Sequence, residues 1–230
     1  SLLAQDSVVA KPKKDWSKVN LATRAKDHLV IQLGSLNWNN TPDSIKTSGI
    51  ARTFNMYVML DFPFKTDPRF SVALGAGIAA DNMYFSKTDI DIAGKRANRL
   101  SFRNAADSNH FKKVKLATAY LEAPVELRFM TRPDDPNHSL KAVLGLKIGT
   151  LLSATVKGKN LVTSSGTLLN AYTSKEKSKR YFNSSRISIT GRVGYGVFSV
   201  FASYQLNSFV KDGFGPDVRP FTLGLTLCGL

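Results

Sequence analysis

The sequence predicts an all-β chain that closes into an eight-stranded antiparallel up-and-down transmembrane β-barrel. Three observations carry this expectation. Eight segments alternate apolar and polar residues with a period of two. In each, the apolar set is almost unbroken, while the opposing set is rich in Gly, Ser, Ala and Thr. The connections are alternately short and long. A soluble sandwich or lipocalin-like barrel would turn the apolar set inward and cover the other face with long charged side chains. A small polar face suits a crowded interior instead, and an unbroken apolar face suits lipid.

Residues 1–4, Ser1-Leu2-Leu3-Ala4, read as the remnant of a secretory signal cleaved near Ala4. Residues 5–27 are polar and basic, with Pro12 among Lys11, Lys13 and Lys14, and read as a flexible periplasmic tail. The barrel then occupies residues 28–230. In the first half, Leu29, Ile31 and Leu33 alternate with Val30, Gln32 and Gly34. Phe54, Met56, Val58, Leu60 and Phe62 oppose Thr53, Asn55, Tyr57, Met59 and Asp61. Phe70, Val72, Leu74, Ala76 and Ile78 oppose Ser71, Ala73, Gly75, Gly77 and Ala79.

The fourth segment, residues 113–131, contains Pro124, which a helix would accommodate only at about 3 kcal/mol. As a strand it places Ala119, Leu121, Ala123, Val125, Leu127 and Phe129 on one face and Glu122, Glu126 and Arg128 on the other. The fifth strand sets Leu140, Ala142, Leu144, Leu146 and Ile148 against Lys141, Val143, Gly145, Lys147 and Gly149. The sixth sets Ile187, Ile189 and Val193 against Arg186, Ser188, Thr190 and Arg192. Phe198–Asn207 and Phe221–Cys228 complete the eight. Short connections fall at 65–69, 132–139 and 195–196, and long ones at 41–50, 87–112, 157–181 and 210–217. Long loops outside put the termini and short turns in the periplasm.

The interior of an eight-stranded barrel is just wide enough to be filled by side chains. Glu122, Glu126, Arg128, Lys141, Lys147, Arg186 and Arg192 are therefore expected to form a paired lumenal charge network. Arg52, Lys113, Lys115 and Arg219 fall on the lipid-facing parity near the outer rim and are expected to contact lipopolysaccharide phosphates. The net charge of +15 favours anionic partners. No stacking platform or known nucleic-acid fold accompanies it, so nucleic acid is not expected. Phe62, Phe64, Phe70, Phe129, Tyr195 and Phe198 are expected as one aromatic girdle, and Trp38, Tyr84, Phe85, Tyr181, Phe182 and Phe209 as the other.

A single cysteine, Cys228, excludes an intramolecular disulfide and a cysteine-based zinc site. No metal-ligand spacing, phosphate loop or cofactor motif appears, so no cofactor is expected. Among the histidines, His28 and His138 lie at the turn end. His110 lies on an outer loop near Asp107 and Ser108, where a preorganised catalytic centre is hard to build. A non-enzymatic protein is the expectation.

Tyr120-Leu121-Glu122-Ala123-Pro124-Val125-Glu126-Leu127 resembles the YLE(I/V)P strand of the PorT-like outer-membrane β-barrel proteins of Bacteroidota. Asp27-His28-Leu29, Asp61-Phe62-Pro63-Phe64, the run Phe70–Gly77 and Val218-Arg219-Pro220-Phe221 fit the same pattern. The resemblance spans roughly residues 27–230. It implies the barrel fold and the outer membrane, and its motifs are structural. Family members include a component of the type IX secretion system.

The leading functional expectation is a structural or interaction subunit with a protein partner in the outer membrane, as an accessory component of an envelope secretion or import complex. A narrow anion-preferring pore, lined by the surplus of lumenal lysines and arginines, is the second reading. A lipopolysaccharide-modifying enzyme centred on His110 is the third.

Overall fold

Alternation with a period of two resolves into extended backbone. The computed structural model describes residues 28–39, 45, 47–95 and 98–228. The expected signal remnant (1–4) and basic tail (5–27) lie outside the described residues. The strands are β1 (Leu29–Asn39), β2 (Arg52–Pro63), β3 (Phe70–Phe85), β4 (Thr88–Asp91), β5 (Ser101–Asn104), β6 (His110–Met130), β7 (Leu140–Val162), β8 (Leu168–Lys177), β9 (Ser185–Tyr195), β10 (Phe198–Gln205) and β11 (Arg219–Cys228).

Eight of these pair in a closed antiparallel ring, β1–β2–β3–β6–β7–β9–β10–β11 and back to β1. Each is a segment read from the sequence, and each neighbour in the ring is the next of those segments in the chain. The expectation of eight strands is nevertheless too few, because the long connections make strands of their own. β4 and β5 form a separate hairpin. β6 and β7 run on beyond the ring, and β8 pairs with the extension of β7, making a three-stranded sheet that projects from the loop end. Loops of this length carry enough backbone polar groups to make pairing with a neighbour favourable.

The faces are inside out relative to a soluble barrel. Val58, Leu60, Leu144, Leu146, Ile148, Val200 and Leu225 are exposed on the outer wall. Gln32, Thr53, Asn55, Glu122, Glu126, Lys147, Arg186 and Thr226 are buried inside. The turn end closes tightly. Gly196, at φ +59, makes the β9–β10 turn, and a Cβ there would sit 2.5 Å from the Asn137 carbonyl.

Two apolar clusters lie above and below this polar interior. At the loop end, Leu36, Met83, Phe85, Ile92, Leu116, Tyr181, Phe182, Phe209, Val210 and Val218 fill the mouth. The connections cross over it, tied by bonds such as Leu100 N–H to the Phe214 carbonyl (2.7 Å) and Lys211 N–H to the Tyr181 carbonyl (2.9 Å). At the turn end, Val30, Tyr57, Met59, Ala73 and Cys228 form a smaller cluster.

Candidate functional site

Strand pleating puts Glu122, Glu126 and Arg128 on the inner face of β6, and the neighbouring strands leave room for them. Gly149 pairs with Glu122 and Gly145 with Glu126. A Cβ at Gly149 would meet Glu122 Cγ at 2.8 Å, and one at Gly145 would meet Glu126 Cγ at 3.0 Å. Small residues on β7 thus let long side chains on β6 cross the lumen.

The charges form two tiers. In the tier nearer the loops, Arg186 Nη1 donates to Asp81 Oδ2 at 2.8 Å and lies 3.4 Å from Glu122 Oε1. Its guanidinium stacks over Tyr120 at 4.7 Å. Thr53 donates to the other Asp81 oxygen at 2.6 Å. Tyr57 Oη donates to Glu122 Oε2 at 2.6 Å. Lys147 Nζ donates to Tyr57 Oη (3.4 Å) and to Gln32 Oε1 (3.2 Å), and Gln32 donates on to Thr226 (3.2 Å). In the tier nearer the turns, Glu126 Oε2 accepts from Arg128 Nε (2.9 Å) and Arg192 Nη2 (3.0 Å). Arg128 also reaches Asp61 at 3.7 Å, and Asp61 accepts from Ser71 at 2.7 Å.

Six of the seven residues expected in a lumenal network take part in these contacts. The seventh, Lys141, is buried at the turn end, beside Arg128 and Arg192. Sequence reasoning missed Asp61, Asp81 and Tyr57 as members. Asp61 and Tyr57 already stood on the inward parity, and their long reach across the lumen was the missing signal. Asp81 lies past Ala79, where the alternation fades, and enters because β3 continues to Phe85. Among the described residues, five lumenal cations now face four carboxylates, so the expected cationic surplus falls to a single charge. The ion pairs offset most of this buried charge, while Arg186 Nε and Arg192 Nη1 have no hydrogen-bond partner among the described residues. Two cavities that touch the lumen, one beside Asp81 and one beside Arg192, measure about 10 Å³ each. That is room for about one water.

Over residues 27–225 the chain matches the family described as the outer membrane protein beta-barrel domain. The chain belongs to this family. No curated protein matches it. Membership supports an outer-membrane β-barrel, and the exposed apolar strand faces suit such a setting.

Other expected site residues are dispersed around the rim of this barrel. Arg52 and Lys113 are exposed. Lys115 is half-buried and donates to Asn82 at 3.0 Å. Arg219, on the far side of β1, is ion-paired with Asp217 at 3.2 Å. The turn-end aromatics Phe62, Phe64, Phe70, Tyr195 and Phe198 are exposed, and Phe70 packs on Phe129 with ring centroids 5.0 Å apart. The expected second girdle is corrected at five of its six residues; Tyr84 stays half-buried on the outward parity of β3, opposite Lys115. Phe85, Tyr181, Phe182 and Phe209 are buried in the mouth plug, with Trp38 packed against it, because the long connections fold inward. His110 is buried, with Nδ1 2.8 Å from the Ser108 carbonyl. His28 meets the Met59 carbonyl (2.9 Å) and His138 meets Asp135 (2.9 Å).

Proposed function

We propose that this barrel is a non-enzymatic structural or interaction subunit of the outer membrane, an accessory component of an envelope secretion or import complex. One observation carries the reading: the lumen is occupied by cross-linked side chains and capped at its mouth by an apolar plug. A protein with a filled interior acts through its outside, here the lipid-facing wall, the projecting β6–β7–β8 sheet and the loops. The PorT-like strand Tyr120–Leu127 and its companion motifs support assignment to the PorT-like branch found in Bacteroidota. In this reading the eight-stranded ring spans the membrane, the termini and short turns face the periplasm, and the long connections face out.

Lipopolysaccharide surrounds the loop end in that orientation, and Arg52, Lys113 and Lys115 stand where its phosphates would lie. The pore reading weakens as the lumenal cationic surplus falls to one charge. The enzyme reading draws less support, because His110 is buried and its ring meets the Ser108 backbone carbonyl rather than a carboxylate or hydroxyl. The deciding experiment is purification of the native protein from outer membranes in mild detergent, followed by mass spectrometry. A large stoichiometric partner is expected. Recovery of the barrel alone would overturn the subunit reading.

A further inference from the structure

The projecting sheet has two faces of opposite character. One packs inward: Val156, Gly158, Ser174 and Glu176 line a cavity of about 180 Å³ together with Asp89 and Asp91. Glu176 is held there in an ion pair with Lys95. The other face carries lysine on every strand. Lys113 and Lys115 stand on β6, Lys157 and Lys159 on β7, and Lys175 and Lys177 on β8. The register aligns them. Lys115 pairs with Lys157, Lys157 with Lys175, and Lys113 with Lys159. All are exposed except Lys115, which is half-buried.

This alignment depends on one extra residue. Up to Ile148, even-numbered residues of β7 face lipid, and Lys141 and Lys147 point into the lumen. The register shifts at Ala119/Tyr120, where Ser153 and Leu151 are the partners and Leu152 is left over. Beyond the bulge the parity inverts, so Ala154 and Val156 turn into the plug and Lys157 and Lys159 turn out. Without the bulge both lysines would enter an apolar core.

Like charges directly opposite one another destabilise a sheet. A lysine ladder three strands wide therefore calls for an anion. The rungs are about 4.8 Å apart, so the ladder spans roughly 10 Å. Six ammonium groups exceed what one phosphate, at about −2, can neutralise. The same outer wall turns apolar just below, at Leu121 and Leu152. A ligand that meets both surfaces has acyl chains beneath a headgroup bearing more than one phosphate.

We propose that the β6–β7–β8 lysine ladder is a binding site for a multiply phosphorylated lipid headgroup in the surrounding leaflet, with Arg52 at its flank. The proposal rests on the reading that the loop end lies in the outer leaflet. The test uses purified full-length protein in nanodiscs containing trace bisphosphorylated lipid A, with native mass spectrometry of the lipid that stays bound. A monophosphorylated lipid of the same acyl chains serves as comparison, and inorganic phosphate as competitor.

Wild-type protein is expected to retain the bisphosphorylated form preferentially, against millimolar free phosphate. The K115Q/K157Q/K175Q variant is expected to lose about a hundredfold in affinity, at roughly fivefold per lysine near the surface. A turn-end control, R69Q/R132Q, is expected to bind as wild type. Equal retention by the ladder variant, or equal retention of the two lipids, overturns the proposal. If the ladder variant does not form the barrel, single K157Q and K175Q variants must each weaken binding, and no change in either overturns it. Orientation is read separately, by labelling a cysteine placed at Gly166, in the β7–β8 connection, with a membrane-impermeant maleimide on intact cells. Binding in nanodiscs without surface labelling would refute the orientation and leave the site standing.

Discussion

Arg186 holds two carboxylates at once. Asp81 and Glu122 come from different strands, β3 and β6, and both lie within 3.4 Å of Arg186 Nη1. Truncating one partner of a buried ion pair leaves an uncompensated charge, at about 3–5 kcal/mol. Arg186→Gln is expected to lower unfolding stability in detergent by that amount, measured by denaturant titration. Adding Asp81→Asn should recover part of the loss, because it removes one of the stranded carboxylates. A milder pair sits in the β2–β3 turn. The hydrogen bonds from Arg69, the shortest 2.6 Å, hold the Asp67 carboxyl below its ordinary value. With the folded value depressed, the contribution of Asp67 is complete at neutral pH and fades as pH falls through that lowered value. NMR titration of Asp67 in Arg69→Gln should show it return toward the ordinary carboxylate range.

At the scale of elements, the bulge at Leu152 matters most. Strand pairing has a side-chain period of two, so one extra residue moves every later side chain to the opposite face. Deleting Leu152 is expected to drive Lys157 and Lys159 toward the mouth plug, where an unpaired ammonium costs several kcal/mol. The folded fraction in micelles, followed by far-UV circular dichroism and gel mobility without boiling, should fall sharply. The outer wall gives a second test. Leu146 is exposed in the middle of the apolar face of β7, between Val125 and Ile189. Leu146→Arg is expected to cost about 2–4 kcal/mol when the protein folds into lipid vesicles. In a barrel with this face in water the change would be nearly silent.

At the scale of the molecule, the barrel is a cylinder filled with side chains, with an apolar plug at its mouth among the described residues. Seven of the eight ring strands contribute to the upper polar tier, from Gln32 on β1 to Thr226 on β11. Such cross-links resist any opening that would separate the strands. Reconstitution into planar bilayers is expected to give no discrete conductance steps, and steps with anion preference would restore the pore reading. On the proposed reading the apolar outer wall, the projecting sheet and the loop surface meet other molecules, so lipid retention and co-purification are the measurements that test it.

The sequence by itself determined the ring. Its eight alternating segments name every strand that closes it, since burying one face of a sheet and wetting the other writes a period-two pattern into the chain. It also placed Glu122, Glu126 and the five cations inside, because parity survives small errors in strand ends. What sequence could not show was decided by tertiary structure. Asp81 reaches Arg186 across 105 positions of chain. The aromatics of the long loops fold into the mouth because a closed sheet leaves an apolar opening to cover. Six lysines from three strands meet on one face because a bulge, silent in the alternation, reverses the pleat. Pattern is a local property of a strand, whereas register between strands is set by the packing of the whole barrel.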